Sequence, residues 1–295
     1  MVVSNLKIIL ITMEFSETVK SIIDSSIKIV GIIESRRKNP SNRSLELETY
    51  CNQKNVPFYY MNSGCDINLE NWVKTIKPDL IIVNGMSELL KKNILDIPKK
   101  GCINLHPTLL PNYRGGYPIF WTFYDQTIQP GVTIHYLDEG EDTGDIIYQE
   151  SFELPLGSTE EEFIDYSENK LGVKLLLKAI MDIENNCEPR IKQPKASTTV
   201  RARQIKPVEY KEIVDWKDWE IERIWHLLRG TQNWLNVFDF SQIQGDVRRW
   251  RILDYEKSRA PVVSAKLGTV YKQRNDYFVY CSNGKIYMEL DFETK

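Results

Sequence analysis

CINLHPTLLPNYRG, Cys102–Gly115, changes character in its middle. Its first five residues are a short apolar run suited to a buried strand, and that run ends on Asn104 and His106. Two prolines and a Tyr-Arg-Gly turn then carry the chain away, since proline cannot donate to a strand ladder. The chain has only three histidines. One of them at the end of a strand, between an asparagine and a proline, asks for either a structural or a chemical reading.

Working outward, the upstream chain alternates apolar runs with helical patterns. Leu6–Thr12, Ile27–Glu34, Val56–Met61 and Asp79–Gly85 read as strands, with Cys102–His106 as the fifth. FSETVKSIIDS, LETYCNQKN and LENWVKTIK, between them, have helical spacing. Near-continuous apolar strands separated by helices predict an α/β fold with a mostly parallel sheet covered on both faces. Such sheets bind ligands beyond the carboxyl ends of their strands, where Asn84-Gly85, Asn104 and His106 all fall. Downstream, Gly131–Glu139 and Gly144–Leu154 predict a hairpin-like excursion around EGEDTGD (Glu139–Asp145). Ser158, followed three residues later by Glu161, reads as the capping box of one helix running to about Glu184.

The segment Glu188–Tyr210 is polar, basic and carries three prolines, the texture of a linker. Beyond it, WEIERIWHLLRG predicts one helix ending at Gly230. WLNVFDF, RRWRILDYE, GTVYKQRNDYFVYC and KIYMELDF then predict four short strands and a small antiparallel barrel. The expected organisation is a catalytic domain over 1–190, a linker over 191–207 and a β domain over 208–295.

Charge follows this division. Residues 1–194 carry 20 Lys+Arg against 27 Asp+Glu, and residues 195–295 carry 18 against 14. The basic balance of the second part is too slight to argue for nucleic acid. Five scattered cysteines, with no CxxC, suggest reduced thiols rather than a zinc site or a disulfide framework. No apolar run reaches the roughly 20 residues that cross a bilayer, and the first residues lack the pattern of a signal peptide, so the expectation is a cytoplasmic protein with no membrane partner. Neither GxGxxG, GxxxxGK[ST] nor HExxH occurs. His106, His135 and Asp142 are metal-ligand types, but His135 lies mid-strand and reads as structural, so no metal is expected.

Asn104, His106 and Asp142 at one sheet mouth make sense for acyl transfer to an amine. An amide and a protonated imidazole both donate to a developing oxyanion. A carboxylate beside the imidazole holds its charged form and can take up a proton. The amine is itself the nucleophile, so no Ser or Cys is required.

INLHPTLLPNYRG followed by GVTIHYLDEGEDTGDIIYQE resembles the folate-dependent formyltransferases, whose pattern is Asn-x-His-x-x-Leu-Leu-Pro with a downstream Asp-Thr-Gly-Asp. NGMSELLKKNILDIPKKGCINLH resembles that family's folate loop, and the likeness covers most of residues 5–185. The C-terminal part resembles the small OB-like barrel appended to methionyl-tRNA formyltransferases and to some sugar formyltransferases. The resemblance implies a Rossmann-like domain, N10-formyltetrahydrofolate as formyl donor, and Asn104, His106 and Asp142 as the catalytic trio. It further implies that Met86, Ser87, Glu88, Leu90, Asp138 and Asp142 hold the pterin.

Two acceptor amines fit this resemblance. Pro118 and Trp121 in RGGYPIFWTF (Arg114–Phe123) are similar to the Pro-x-x-Trp of sugar N-formyltransferases, and Ser87 points the same way. QNWLN (Gln232–Asn236) stands where the tRNA enzymes commonly have Pro-Trp-Pro-Gly. The acidic first part is a poor landing surface for tRNA, although the basic loop Ser35–Arg43 could meet phosphates. The preferred expectation is therefore transfer to a nucleotide-linked amino sugar in glycan or lipopolysaccharide synthesis, with Arg114, Tyr117 and Trp121 as substrate-binding residues. The alternative is a methionyl-tRNA formyltransferase; a formyltetrahydrofolate hydrolase fits less well. Apolar strands in the C-terminal part would suit a homodimer.

Overall fold

The computed structural model describes residues 4–35, 42–61, 67–86, 88–232, 234–262 and 265–293. By its internal contacts the chain forms two compact units. The first holds Met1–Pro118, Pro130–Phe152 and Ile164–Ala202; the second holds Ile119–Gln129, Glu153–Phe163 and Arg203–Lys295.

The first unit is built on a seven-stranded sheet in the order β3-β2-β1-β4-β5-β6-β7. Its strands are β1 Lys7–Thr12, β2 Lys28–Ser35, β3 Phe58–Met61, β4 Leu80–Asn84, β5 Cys102–His106, β6 Gly131–Tyr136 and β7 Ile146–Ser151. β1 to β5 pair in parallel, as their buried apolar runs predict. β6 and β7 pair antiparallel, so the sheet is mixed. Alternation along each strand feeds two apolar layers. Ile8, Leu10, Ile103 and Leu105 pack with Val19 and Ile22 of α1 (Glu17–Ile23) and with Leu47 and Cys51 of α2 (Asn42–Gln53). Ile9, Ile11 and Cys102 pack on the other face with Leu69 and Val73 of α3 (Ile67–Ile76) and Ile94 of α4 (Lys92–Leu95). Cys102 is thus core, and burial pushes its thiol up to about 12.

The helix expected after Ser158 runs unbroken from Glu160 to Glu184, but not as one regular coil. α6 (Glu160–Ile164) and α7 (Val173–Glu184) are joined by π-helical turns over Asp165–Gly172, where an extra residue per turn widens the coil. α5 (Pro118–Tyr124) precedes them in the chain. The capping box also lies one residue later than predicted. The Thr159 hydroxyl accepts from Glu162 N–H and the Glu162 carboxylate accepts from Thr159 N–H. Ser158 is occupied elsewhere, donating to the Pro155 carbonyl.

The second unit carries a four-stranded antiparallel sheet in the order β8-β11-β10-β9, formed by β8 Val247–Lys257, β9 Val270–Gln273, β10 Asp276–Cys281 and β11 Gly284–Phe292. The helix over Ile221–Gly230, α8, matches the predicted one. Two strand readings change. WLNVFDF contributes only one isolated bridge, Asp239 to Thr269. GTVYKQRNDYFVYC is two strands, because Arg274 takes a left-handed φ of 56° and turns the chain back. Among the described residues no helix is long and apolar enough to cross a membrane.

Candidate active site

β5 alternates between its two tasks. Ile103 and Leu105 enter one apolar layer, so Asn104 and His106 share the opposite face with Cys102. Antiparallel pairing then sets His135 directly across from Asn104, and Thr133 across from His106. Thr133 pins the outgoing loop. Its hydroxyl donates to the Thr108 carbonyl and accepts from Leu110 N–H, and Gln149 on β7 donates to the Leu110 carbonyl. The loop therefore bends back over the strand ends, where the Tyr113 carbonyl lies 3.2 Å from His106 Nε2.

Asp142 reaches this point from the β6–β7 connection, with a left-handed φ of 53° that aspartate tolerates better than most residues. Gly144 permits the tight turn beneath it, since a Cβ there would sit 1.9 Å from the Tyr136 carbonyl oxygen. The Asp142 carboxylate accepts from Gly115 N–H at 2.9 Å. Its Oδ2 lies 3.8 Å from His106 Nδ1 and its Oδ1 lies 3.7 Å from His135 Nε2. The three residues predicted as a trio thus converge, and a fourth, His135, joins them.

Proton positions follow from the fixed partners. The Tyr136 carbonyl, 2.8 Å from His135 Nδ1, can only accept, so Nδ1 carries the proton. His135 Nε2 then accepts from Asn104 Nδ2–H at 3.2 Å. Burial pushes His135 down to about 4 against the weaker pull of Asp142, and neutrality keeps this arrangement at pH 7. His106 is held the other way round. Its Nε2–H donates to the Tyr113 carbonyl, leaving Nδ1 directed toward Asp142. His135, read from sequence as structural, is structural in burial but orients a member of the trio. The signal for it was present: alternation in GVTIHYLDE sets Thr133 and His135 on the face away from Val132 and Ile134.

A second polar group lies at the strand ends, where the sequence placed Asn84 but not Thr12 or Glu168. Thr12 and Asn84, register partners at the ends of β1 and β4, are buried. Glu168, on the π-helical turns, is pushed up to about 7 by burial, against hydrogen bonds from Asn84 and Thr18.

Of the residues expected to hold the donor, Met86 and Leu90 pack into one apolar cluster, which Leu137 joins. Glu88 is half-buried and Ser87 lies outside the described residues. The basic loop Ser35–Arg43 is also largely outside them. Asp138 spends its carboxylate on its own turn, accepting from Gly140 N–H and from the Thr143 hydroxyl. The Arg114 guanidinium is buried and donates to the Gln193 side chain and to the Pro194 and Lys195 carbonyls. Tyr117 is exposed, with its backbone N–H on the Ala202 carbonyl. Trp121 belongs to the second unit, where its indole N–H donates to the Arg203 carbonyl. Among the described residues no cluster of three or more His, Cys, Asp or Glu could hold a metal ion.

A strand-end amide, imidazole and carboxylate on a Rossmann-like sheet define a class of group-transfer enzymes. The family model described as formyl transferase matches residues 7–180, and the chain belongs to that family. A methionyl-tRNA formyltransferase of Alkaliphilus oremlandii is 35% identical over 250 residues, covering 81% of this chain and 77% of that one. Its counterpart in Clostridium acetobutylicum is 32% identical over 244 residues, covering 82% and 75%. An N-formyltransferase of Helicobacter canadensis, solved with folinic acid and dTDP-3-aminofucose, shares the fold with a TM-score of 0.65 at 15% identity, covering 97% of this chain and all of that one. The chain is a formyltransferase, and its family draws the formyl group from N10-formyltetrahydrofolate.

Proposed function

We propose that the acceptor is the amino group of methionine carried on initiator tRNA. The observation that carries this reading is the 35% identity to a methionyl-tRNA formyltransferase over 250 residues, a span too long to lie within the catalytic unit alone. It reverses the preference for an amino sugar drawn from Pro118 and Trp121. The Trp121 indole N–H is already committed to a backbone carbonyl, which weakens its use as a sugar-reading group.

The residues present fit a reduced folate. Met86, Leu90 and Leu137 offer an apolar floor for a flat bicycle, beside backbone groups of the 138–142 turn. When bound, the donor supplies the formyl carbon and N10 as leaving group. Asn104 directs its second Nδ2–H at the formyl oxygen, because its first is committed to His135. His106, charged at Nδ1, donates to the same developing oxyanion. Asp142 would stabilise that charge, receive the proton released by the attacking amine as the new C–N bond forms, and pass it to N10 as the C–N10 bond breaks. The C-terminal sheet is read as the OB-like module that accompanies this activity.

The second reading, transfer to a nucleotide-linked amino sugar, is favoured by the Tyr117–Trp121 segment. Both are tested together. The purified chain is given N10-formyltetrahydrofolate with methionyl-tRNA in one arm and with dTDP-, UDP- and GDP-linked amino sugars in the others. Formyl-methionyl-tRNA is expected; formylation of a sugar alone overturns the proposal.

A further inference from the structure

Residues 191–202 fall in the segment read from sequence as a linker, yet within the first unit they are built into the catalytic loops. Ile191 bridges Ile146 on β7. Gln193 uses its whole amide. Its Nε2 donates to the Asp142 carbonyl at 3.0 Å and to the Gly144 carbonyl at 2.6 Å, while its Oε1 accepts from Arg114 Nε at 3.2 Å and Nη2 at 2.7 Å. Further on, the Thr199 hydroxyl accepts from Tyr113 N–H at 2.7 Å, and Tyr113 is the residue whose carbonyl holds His106 Nε2. Arg201 forms a two-pronged pair with Glu141, next to Asp142. Ala202 closes the segment, donating to the Arg114 carbonyl and accepting from Tyr117 N–H.

We infer that this segment is a strap that sets the distance between Asp142 and His106, with Gln193 and Thr199 as its positioning residues. One end reaches Asp142 through its backbone, in a left-handed conformation that needs outside support. The other end reaches His106 through Tyr113. The two loops that supply the acid–base pair are otherwise joined directly by the bond from Gly115 N–H to Asp142. Gln193 is chemically specific for its place. Glutamate would keep an acceptor for Arg114 but set a carboxylate against two carbonyl oxygens. Lysine would donate but could not receive Arg114.

The test uses the full-length chain and reads the site both with and without substrate. Three histidines make imidazole nitrogen NMR tractable, with His106 assigned from His106→Asn. Gln193→Ala, Gln193→Glu and Thr199→Val are each expected to move the His106 ring nitrogens and leave those of His226 in place. In the formyl-transfer assay kcat falls about 10- to 100-fold, and KM for N10-formyltetrahydrofolate changes less than about threefold, because misplacing reacting groups by about 1 Å costs on that scale. Val200→Ala, an exposed change in the same segment, keeps parental kcat. Unchanged His106 resonances in all three variants overturn the proposal. So does a fall in kcat no larger than the loss of folded protein.

Discussion

His135 and His226 are buried to the same degree, and burial pushes each imidazole down to about 4. They differ in what surrounds them. His135, on β6 of the first unit, has both ring nitrogens engaged, one by the Tyr136 carbonyl and one by Asn104, with Asp142 close by. His226, on α8 of the second unit, accepts from Gly157 N–H at Nδ1 and lies against the Phe123 ring, while its Nε2 has no partner among the described residues. Burial and a displaced pKa are therefore common to a histidine that shapes a reaction centre and one that ties a loop to a helix. The partners, not the shift, separate the roles.

Removing what His135 touches should have the largest effect. Asp142→Asn keeps the volume and abolishes the charge, and kcat should fall about 10²- to 10⁴-fold with little change in KM for the donor. Asn104→Ala removes one oxyanion donor, for a loss of about 10²- to 10³-fold. Retention of more than a tenth of parental kcat in either variant would remove these residues from the chemistry. Exchanging the histidines themselves sharpens the contrast. His135→Leu frees Asn104 to turn, and kcat should fall about 10-fold or more. His226→Leu should leave kcat within about twofold and change only the melting temperature of the second unit, because it loses the Gly157 bond and also the unpartnered nitrogen. Equal kcat losses in the two variants would erase the distinction.

Gly115→Ala is of intermediate size. Gly115 has φ of +128°, and an added Cβ would stand 2.7 Å from the Ala202 carbonyl oxygen. The turn must shift to admit it, taking with it the N–H that holds Asp142. An expected loss of about 10-fold in kcat, with folding retained by circular dichroism, would separate this site from a glycine that matters only for stability.

Much of the first unit was legible because its signals are local. Apolar runs at strand length marked β1 to β5, and Asn104, His106 and Asp142 were marked by residue type at strand ends. The register of β5 against β6 is a long-range property, and without it His135 could not be set opposite Asn104. The strap was misread for a related reason. Prolines and basic side chains describe a linker, but the bonds from Gln193 and Thr199 go to loops about 50 and 86 residues earlier in the chain. The helix after Ser158 departs from expectation only in its geometry. Its apolar positions fit one coil until an extra residue per turn over Asp165–Gly172 moves Glu168 in toward Asn84.

The smallest expected effect concerns pH, and it bears on both histidines at once. A buried neutral histidine with a pKa of about 4, against 6.5 when unfolded, contributes stability that is complete above pH 6.5 and is lost as pH falls toward 4. Each unit also holds a glutamate shifted the opposite way. Burial pushes Glu168 in the first unit and Glu160 in the second up to about 7, against 4.5 when unfolded. Such a carboxyl binds more protons in the folded state, so stability rises as pH falls from 7 to 4.5. Within each unit one group of each kind titrates across pH 6.5 to 4.5, with slopes of opposite sign. Their contributions to the melting temperature should therefore nearly cancel over that interval. Single substitutions should tilt that balance. His226→Leu leaves the glutamate slope, so the second unit should gain stability on acidification, and Glu160→Gln should make it lose stability. The limit is about 1.4 kcal/mol per pH unit for one group. Parallel pH profiles for the parent and both variants would mean that burial of these side chains does not reach their titration.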